Sequence, residues 1–267
     1  MLPEIDWSQP WYDSVRPAFA RLAIDTDTDS GERIVALNAG AAALNLSNAA
    51  SQALRFVPQE ALPQGKAYEE FIGATGCVPT RDNLHDFFNA LVWLTFPRIK
   101  QQLNALQSAQ IALAGVGKSR GPARDAATIF DENSALLVVR DSLDGSALAA
   151  ALRGHRWQEV FCQRREVFGM DAEVWLFGHA LMEKLVAPRK PITAHTRVVT
   201  AGDDYFALAP SARRAWIDEH VTAALAAEPL STAGFTPLPV LGVPGWWPNQ
   251  DEAFYADASV FRPKRAG

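Results

Sequence analysis

The sequence predicts a helix-dominated α+β fold in one domain spanning 1–267. Apolar residues recur at three and four spacing through most of the chain, as in amphipathic helices, whereas only two stretches have the β-branched or continuously apolar composition of good strands. A third observation is the proline- and tryptophan-rich segment 237–263, which predicts an extended C-terminal arm packed on the body. We therefore expect a small mixed or antiparallel sheet among helices.

The elements can be placed along the chain from these patterns. A long central helix is expected over 83–112, with Pro97 breaking or kinking it. A second helix is expected over 171–186, with Asp171 as its cap. The best buried strand is 135–139, and the β-branched run 192–200 predicts another. Further helices are expected over 8–24, 68–74, 146–152, 156–161 and 209–227, and a short extended segment over 54–62.

Composition excludes several classes of protein. A hydrophobic content of 48% with 21% charged residues is typical of a globular chain. The net charge of −5 argues against general nucleic-acid binding, which needs a basic face to neutralise phosphates. The start lacks a signal-peptide pattern, and no apolar run is long enough to cross a membrane. We therefore expect a cytoplasmic protein in which Cys77 and Cys162 stay reduced.

The segment AGVGKSRG (114–121) superficially resembles a phosphate-binding loop. That motif requires glycine where this chain has Ala112, and it follows a strand, whereas this segment follows a helix. We interpret it as a helix terminus.

The central helix carries a candidate catalytic group. On a helical wheel, His85 and Asn89 lie one turn apart on one side, and Asp86 lies near the positive end of the helix dipole. Capping explains Asp86, and a hydrogen-bonded core histidine explains His85 without any catalysis. The functional interpretation makes His85 a general base oriented by Asp86 or Asp131, with Asn89 and Arg81 holding an oxyanion.

Asp131 has two interpretations. It stands just before the buried strand 135–139, and acidic residues at the mouth of such strands are often catalytic. It also belongs to the run Asp131, Glu132, Asn133, which is equally consistent with a polar turn leading into the strand.

A set of histidines and carboxylates suggests a metal site. His179 and Glu183 form an i, i+4 polar pair inside an apolar stripe, and His85 and His195 come from similarly apolar settings. Histidine and carboxylate are the ligands that zinc and similar divalent ions use in catalytic sites, so His85, His179, Glu183 and His195 are candidate ligands. In the alternative, Glu183 reaches past the stripe to water or Lys184, and the histidines are core groups.

Aromatic residues support a competing hypothesis, a protein that binds a small ligand without catalysis. Trp93, Trp246 and Trp247 would line its pocket for an apolar or sugar-like molecule. The two C-terminal tryptophans could instead pin the arm to the core. The two hypotheses differ in whether His85, Glu183 and His195 converge in one place.

Four blocks of the sequence resemble a known family. They are GCVPTRDNLHDFFNALVWLTFP, GPARDAATIFDENSALL, LFGHALMEKL and GVPGWWP. Over roughly Asp6 to Pro263 the chain resembles the bacterial family catalogued as domain of unknown function 3025. The resemblance implies that these blocks belong to one fold, and it implies no activity. The residues themselves favour a hydrolytic reaction, since hydrolases are the broadest class that uses such groups.

Overall fold

The computed structural model describes residues 4–25, 27–114 and 121–264. The segment 115–120, which contains the GKS stretch, lies outside the described residues. Helices dominate the fold. The principal ones, in chain order, are α1 (Arg16–Leu22), α2 (Ser30–Ala43), α3 (Tyr68–Thr75), α4 (Leu84–Thr95), α5 (Pro97–Ala114), α6 (Pro122–Asn133), α7 (Leu143–Arg153), α8 (His179–Lys184), α9 (Asp203–Ala207), α10 (Pro210–Ala227) and α11 (Glu252–Tyr255).

Two small sheets complete the architecture, which is α+β as expected. The strands are β1 (Arg55–Pro58), β2 (Cys77–Thr80), β3 (Ser134–Arg140), β4 (Ala172–Leu176), β5 (Thr193–Ala201) and β6 (Thr236–Pro239). Strands β1 and β2 form a parallel pair. The other sheet has the order β4-β3-β5-β6 and is mixed, because β3 runs parallel to β5 but antiparallel to β4.

The core is one continuous cluster of buried apolar side chains, and α4 lies within it. Every residue from Asp86 to Thr95 is buried, so this helix is covered on all sides after its first turn, where Leu84 and His85 are half-buried. Pro97 breaks the predicted long helix, because α4 ends at Thr95 and α5 begins at the proline, which suits the first turn of a helix. Both predicted strands are confirmed as neighbours in the mixed sheet.

The helix predicted over 171–186 is wrong in its first half. Residues Ala172–Leu176 form β4, and Trp175 pairs with Leu136 of β3. A short amphipathic run satisfies helical and strand spacing equally, and pairing with a fully buried strand decides the outcome. The helix begins only at His179, so His179 and Glu183 still lie one turn apart on α8.

The prediction of a polar turn before β3 is also wrong. Asp131, Glu132 and Asn133 form the last turn of α6, which leads directly into Ser134 of β3. The side chains of these three residues therefore project from the end of a helix.

The C-terminal arm packs on the body and adds an edge strand. Strand β6 pairs antiparallel with β5 at the sheet edge, where prolines are tolerated, and Leu238, Val240 and Leu241 are buried. Among the described residues, no helix is long and apolar enough to cross a membrane.

Candidate metal centre

Sheet topology brings three helices to one point. Because β3 and β4 are antiparallel, the start of β3 lies beside the end of β4. Helix α6 ends where β3 begins, and α8 begins just after β4 ends, so the C-terminus of α6 meets the N-terminus of α8. Helix α4 packs against α8 and brings His85 to the same place.

Gly178 allows the close approach of α8 to α6. Its backbone N–H donates to the carbonyl oxygen of Ser134 at 2.9 Å. A Cβ atom at this position would lie 2.6 Å from the carbonyl oxygen of Glu132 and 2.7 Å from the Cα of Asn133, which real structures do not tolerate. The glycine therefore sets the position of His179, the next residue, against the last turn of α6.

Three side chains direct one donor atom each to a common centre. The Nε2 atoms of His85 and His179 are 3.1 Å apart. One carboxylate oxygen of Glu132 lies 3.8 Å from Nε2 of His85 and 3.5 Å from Nε2 of His179. In a tetrahedral site with bonds of about 2.0–2.1 Å, ligand atoms are about 3.3 Å apart. The triangle of these three atoms thus has the size that a zinc-type ion requires.

A carboxylate fixes the orientation and tautomer of His85. The Nδ1 atom of His85 lies 3.0 Å from a carboxylate oxygen of Glu183. Glu183 follows His179 by one turn on α8. The carboxylate can only accept, so Nδ1 carries the proton and donates it. In the neutral ring the lone pair is then on Nε2, facing the centre. Carboxylate partners of this kind are typical of histidines that bind metals.

The buried ring of His179 completes the arrangement. It is 3% exposed, and burial lowers its pKa to about 3, so the ring is neutral near pH 7. With both rings neutral and no ion between them, the Nε2–H of His179 donates to the lone pair of His85, which leaves the lone pair of Nδ1 facing an Asp131 oxygen at 4.0 Å. Two acceptors face each other there, and Nδ1 has no hydrogen-bond partner in the described structure. An ion at the centre would favour the other tautomer, whose Nδ1–H can donate to Asp131.

A buried ammonium group holds Asp131. Nζ of Lys100 donates to Asp131 at 2.6 Å and to the side-chain oxygen of Asn89 at 2.8 Å. Burial disfavours the charge on Asp131, but the attraction of Lys100 outweighs it and the pKa of Asp131 is lowered. Asn89 in turn donates to the hydroxyl of Tyr68, so a polar network lies behind His179.

Negative charge is in excess around the centre. Burial and the neighbouring Asp131 raise the pKa of Glu132, and burial raises the pKa of Glu69 on the far side of Lys100. The side chains of His85 and Glu132 are 30% and 31% exposed, so one side of the cluster is open to solvent.

The structure brings together three of the four predicted metal ligands. His85, His179 and Glu183 are in contact, with Glu183 bonded to His85 outside the triangle of donor atoms. His195 is exposed on β5 near Phe235 and does not contribute to the triangle. The third donor atom of the triangle belongs to Glu132, because α6 continues up to the strand and directs this side chain towards the two histidines.

The predicted roles of the remaining polar residues on α4 need correction. Asp86 does not orient His85: it accepts hydrogen bonds from the backbone and guanidinium of Arg81, at 2.6, 3.0 and 3.1 Å. The amide of Asn89 is used by Tyr68 and Lys100. Arg81 and Asn89 are therefore engaged in structural contacts and do not form an oxyanion site, while Asp131 supports His179 and not His85.

The three tryptophans that were predicted to line one pocket do not meet in one pocket. Trp93 is 1% exposed and lies beneath Lys100, so it lines no open cleft. Trp246 and Trp247 are partly buried in the arm and line a cleft with Trp11 and Tyr12. Only the two C-terminal tryptophans remain available to a ligand.

Lys100 was missed from the sequence although it left a signal, and Glu132, which the sequence placed with Asp131 in the polar run before the strand, was not expected as a third donor. Lys100, Asn104 and Gln107 are buried polar residues at i, i+4 and i+7 on α5. Three polar residues at this spacing lie on one face of a helix, and when that face is buried they indicate a polar network. Glu132 gave no comparable signal, because the end of α6 is not visible in the sequence pattern.

Comparison with known proteins identifies the family. The family model described as "Protein of unknown function (DUF3025)" matches residues 54–265, a range that includes His85, Glu132, His179 and Glu183. Searches of curated proteins and of solved structures gave no match. The chain belongs to the DUF3025 family.

Proposed function

We propose that His85, Glu132 and His179 bind one divalent metal ion of the zinc type and that the protein is a metal-dependent hydrolase. The observation that carries this proposal is the triangle of donor atoms at 3.1, 3.5 and 3.8 Å from three separate helices. Two histidines and one carboxylate with an open fourth position are the ligand set of many hydrolytic zinc sites.

Charge balance supports the same proposal. Three carboxyl groups lie at the centre, namely Asp131, Glu132 and Glu183. A fourth, Glu69, interacts with Asp131 and Glu132 through its charge, and two ammonium groups, Lys100 and Lys184, oppose the four. Buried carboxylates are costly unless they are paired or bound to a cation. A divalent ion would compensate the excess of two negative charges.

Each neighbouring residue then has a defined role. Glu183 accepts the Nδ1–H of His85. With an ion bound, Asp131, whose oxygen lies 4.0 Å from Nδ1 of His179, would be the acceptor for the Nδ1–H of that ring, and both rings would present Nε2 lone pairs to the ion. Lys100 keeps Asp131 charged and in place. Bound in this way, a zinc-type ion would supply an acidified water and would polarise a carbonyl or phosphoryl oxygen. The exposed sides of His85 and Glu132 open the centre to solvent. We place this activity in the cytoplasm, where the free thiols of Cys77 and Cys162 would persist.

The test is a hydrolysis assay on metal-depleted and zinc-reconstituted protein, with chromogenic carboxylic and phosphate esters as probes. We expect hydrolysis only after reconstitution, and we expect the Glu132→Gln variant to lose at least about tenfold in rate. Glu219→Gln, an exposed residue of α10, is the matched control. Equal rates in chelated and reconstituted protein, or no hydrolysis of either ester class, would refute the hydrolase assignment.

A further inference from the structure

A second cleft lies apart from the candidate metal centre, between the N-terminal segment, β4, α10 and the C-terminal arm. Its volume is about 530 Å³, within the range of small-molecule sites. Its walls are largely apolar and include Pro10, Phe168, Val174, Pro244 and Trp246.

The charged residues of this cleft are paired with one exception. Arg16 forms an ion pair with Asp13. Arg213 forms an ion pair with Glu173. Among the residues that the structure describes, Arg214 has no carboxylate within 4.0 Å, although it is half-buried. The cleft therefore carries one uncompensated positive charge in a chain of net charge −5.

The guanidinium of Arg214 is held through its Nε atom, which leaves the fork of its two Nη atoms available as donors. Its Nε donates to the carbonyl oxygen of Ser14 at 3.2 Å, and its guanidinium lies 5.7 Å from the ring centre of Trp175. In the described part of the chain neither Nη atom has a hydrogen-bond partner. Burial and the nearby charge of Arg21 disfavour the protonated guanidinium and lower its pKa, so a bound anion would relieve this cost. A fixed, planar fork of this kind matches the geometry of a carboxylate.

Ser14, whose carbonyl oxygen holds Arg214, also lines the cleft. The hydroxyl of Ser14, the residue that holds Arg214, is buried and has no hydrogen-bond partner in the described structure. Buried polar groups normally have a partner, so this hydroxyl is a further unsatisfied polar group in the wall that carries Arg214.

We propose that this cleft binds a small organic acid, with its carboxylate on the fork of Arg214 and its apolar body against Phe168, Pro244 and Trp246. A single uncompensated positive charge matches a monoanion. A phosphate dianion would leave one negative charge without a partner in a largely apolar cleft.

The test uses benzoate as the probe, with the neutral isostere benzamide and inorganic phosphate for comparison, in calorimetric titrations of the whole protein. We expect saturable binding of benzoate and at least about tenfold weaker binding of both comparison compounds. Arg214→Gln should weaken benzoate binding by at least about tenfold, and Arg214→Lys, which keeps the charge but loses the fork, should also weaken it. The control is Arg98→Gln, an exposed arginine that pairs with Glu219, and it should bind as the native protein does.

The proposal is overturned if benzoate does not bind at millimolar concentration, if benzamide binds equally well, or if folded Arg214→Gln binds as the native protein does. Tighter binding of phosphate than of benzoate would overturn the assignment to carboxylates. If Arg214→Gln does not fold, the comparison of benzoate with benzamide on native protein decides the question.

Discussion

His85 and His179 face each other through their Nε2 atoms at 3.1 Å, although 94 positions separate them in the sequence. A direct hydrogen bond between two neutral imidazoles satisfies one ring and leaves Nδ1 of His179 unpaired in the interior. An ion between the rings would satisfy both. This relationship, with Glu132 as the third donor, is the basis of the metal-site proposal.

Removing Glu183 should weaken metal binding without removing a ligand. Glu183→Ala frees Nδ1 of His85, so the ring loses its fixed orientation and its tautomer. We expect the affinity for zinc to fall about 10- to 100-fold. Competition with a chelating dye measures it, and Glu219→Ala, exposed on α10, is the control. Unchanged affinity in Glu183→Ala would show that the carboxylate does not orient His85.

Lys100 should be essential for stability, because it is the counterion of a buried carboxylate. Lys100→Met leaves Asp131 charged and unpaired, and we expect a loss of about 3–5 kcal/mol in the free energy of unfolding. The double variant Lys100→Met with Asp131→Asn removes the charge and should recover part of this loss. Urea unfolding measures both. If Lys100→Met alone were as stable as native protein, the buried ion pair of Lys100 and Asp131 would be contradicted.

Gly178 should not tolerate a side chain. Gly178→Ala places a methyl group against the backbone of Glu132, Asn133 and Ser134, and we expect a loss of about 1–3 kcal/mol in stability together with weaker metal binding. Gly234→Ala is the control, since nothing lies within 4 Å of a Cβ at that position. If both variants matched native protein in thermal unfolding and zinc titration, α8 would not approach α6 as described.

Asp218 should make stability depend on pH. Its carboxylate accepts hydrogen bonds from the backbone of Arg98 and Ile99 at the start of α5, while burial raises its pKa to about 6. Between the model-peptide pKa of 3.8 and this value the native state binds more protons than the unfolded state. Stability should therefore fall as pH rises through this window, by roughly 3 kcal/mol from this residue.

The comparison with Asp218→Asn isolates this effect, because the variant cannot titrate there. The difference in unfolding free energy between native and variant protein should change between about pH 4 and about pH 7. Glu60→Gln, which alters an exposed carboxylate that is not among the groups acting on Asp218, should leave the native profile unchanged. A difference that is constant over this range would contradict the raised pKa of Asp218.

Spacing along single helices predicted part of the site. His85 on α4 and the His179 and Glu183 pair on α8 were recognisable because a polar residue inside an apolar helical stripe needs a partner. The pair kept its geometry even though the helix proved shorter, since i, i+4 spacing lies wholly within α8.

Tertiary pairing explains what the sequence could not predict. Residues 172–176 fit either a helix or a strand, and only the neighbouring β3 selects the strand. That selection places the start of α8 beside the end of α6 and makes Glu132 a donor in place of His195. The partnership of Lys100 with Asp131 spans 31 positions and depends on the packing of α5 on α6, which no local pattern reveals.

Metal content of the purified protein, measured by elemental mass spectrometry alongside His85→Ala and His195→Ala, tests the central claim most directly. We expect about one divalent ion per chain in native protein and in His195→Ala, and almost none in His85→Ala. His195→Ala is the matched control because its histidine is exposed and outside the triangle. Native protein without a bound ion after exposure to zinc, or equal metal content in His85→Ala, would contradict the metal centre.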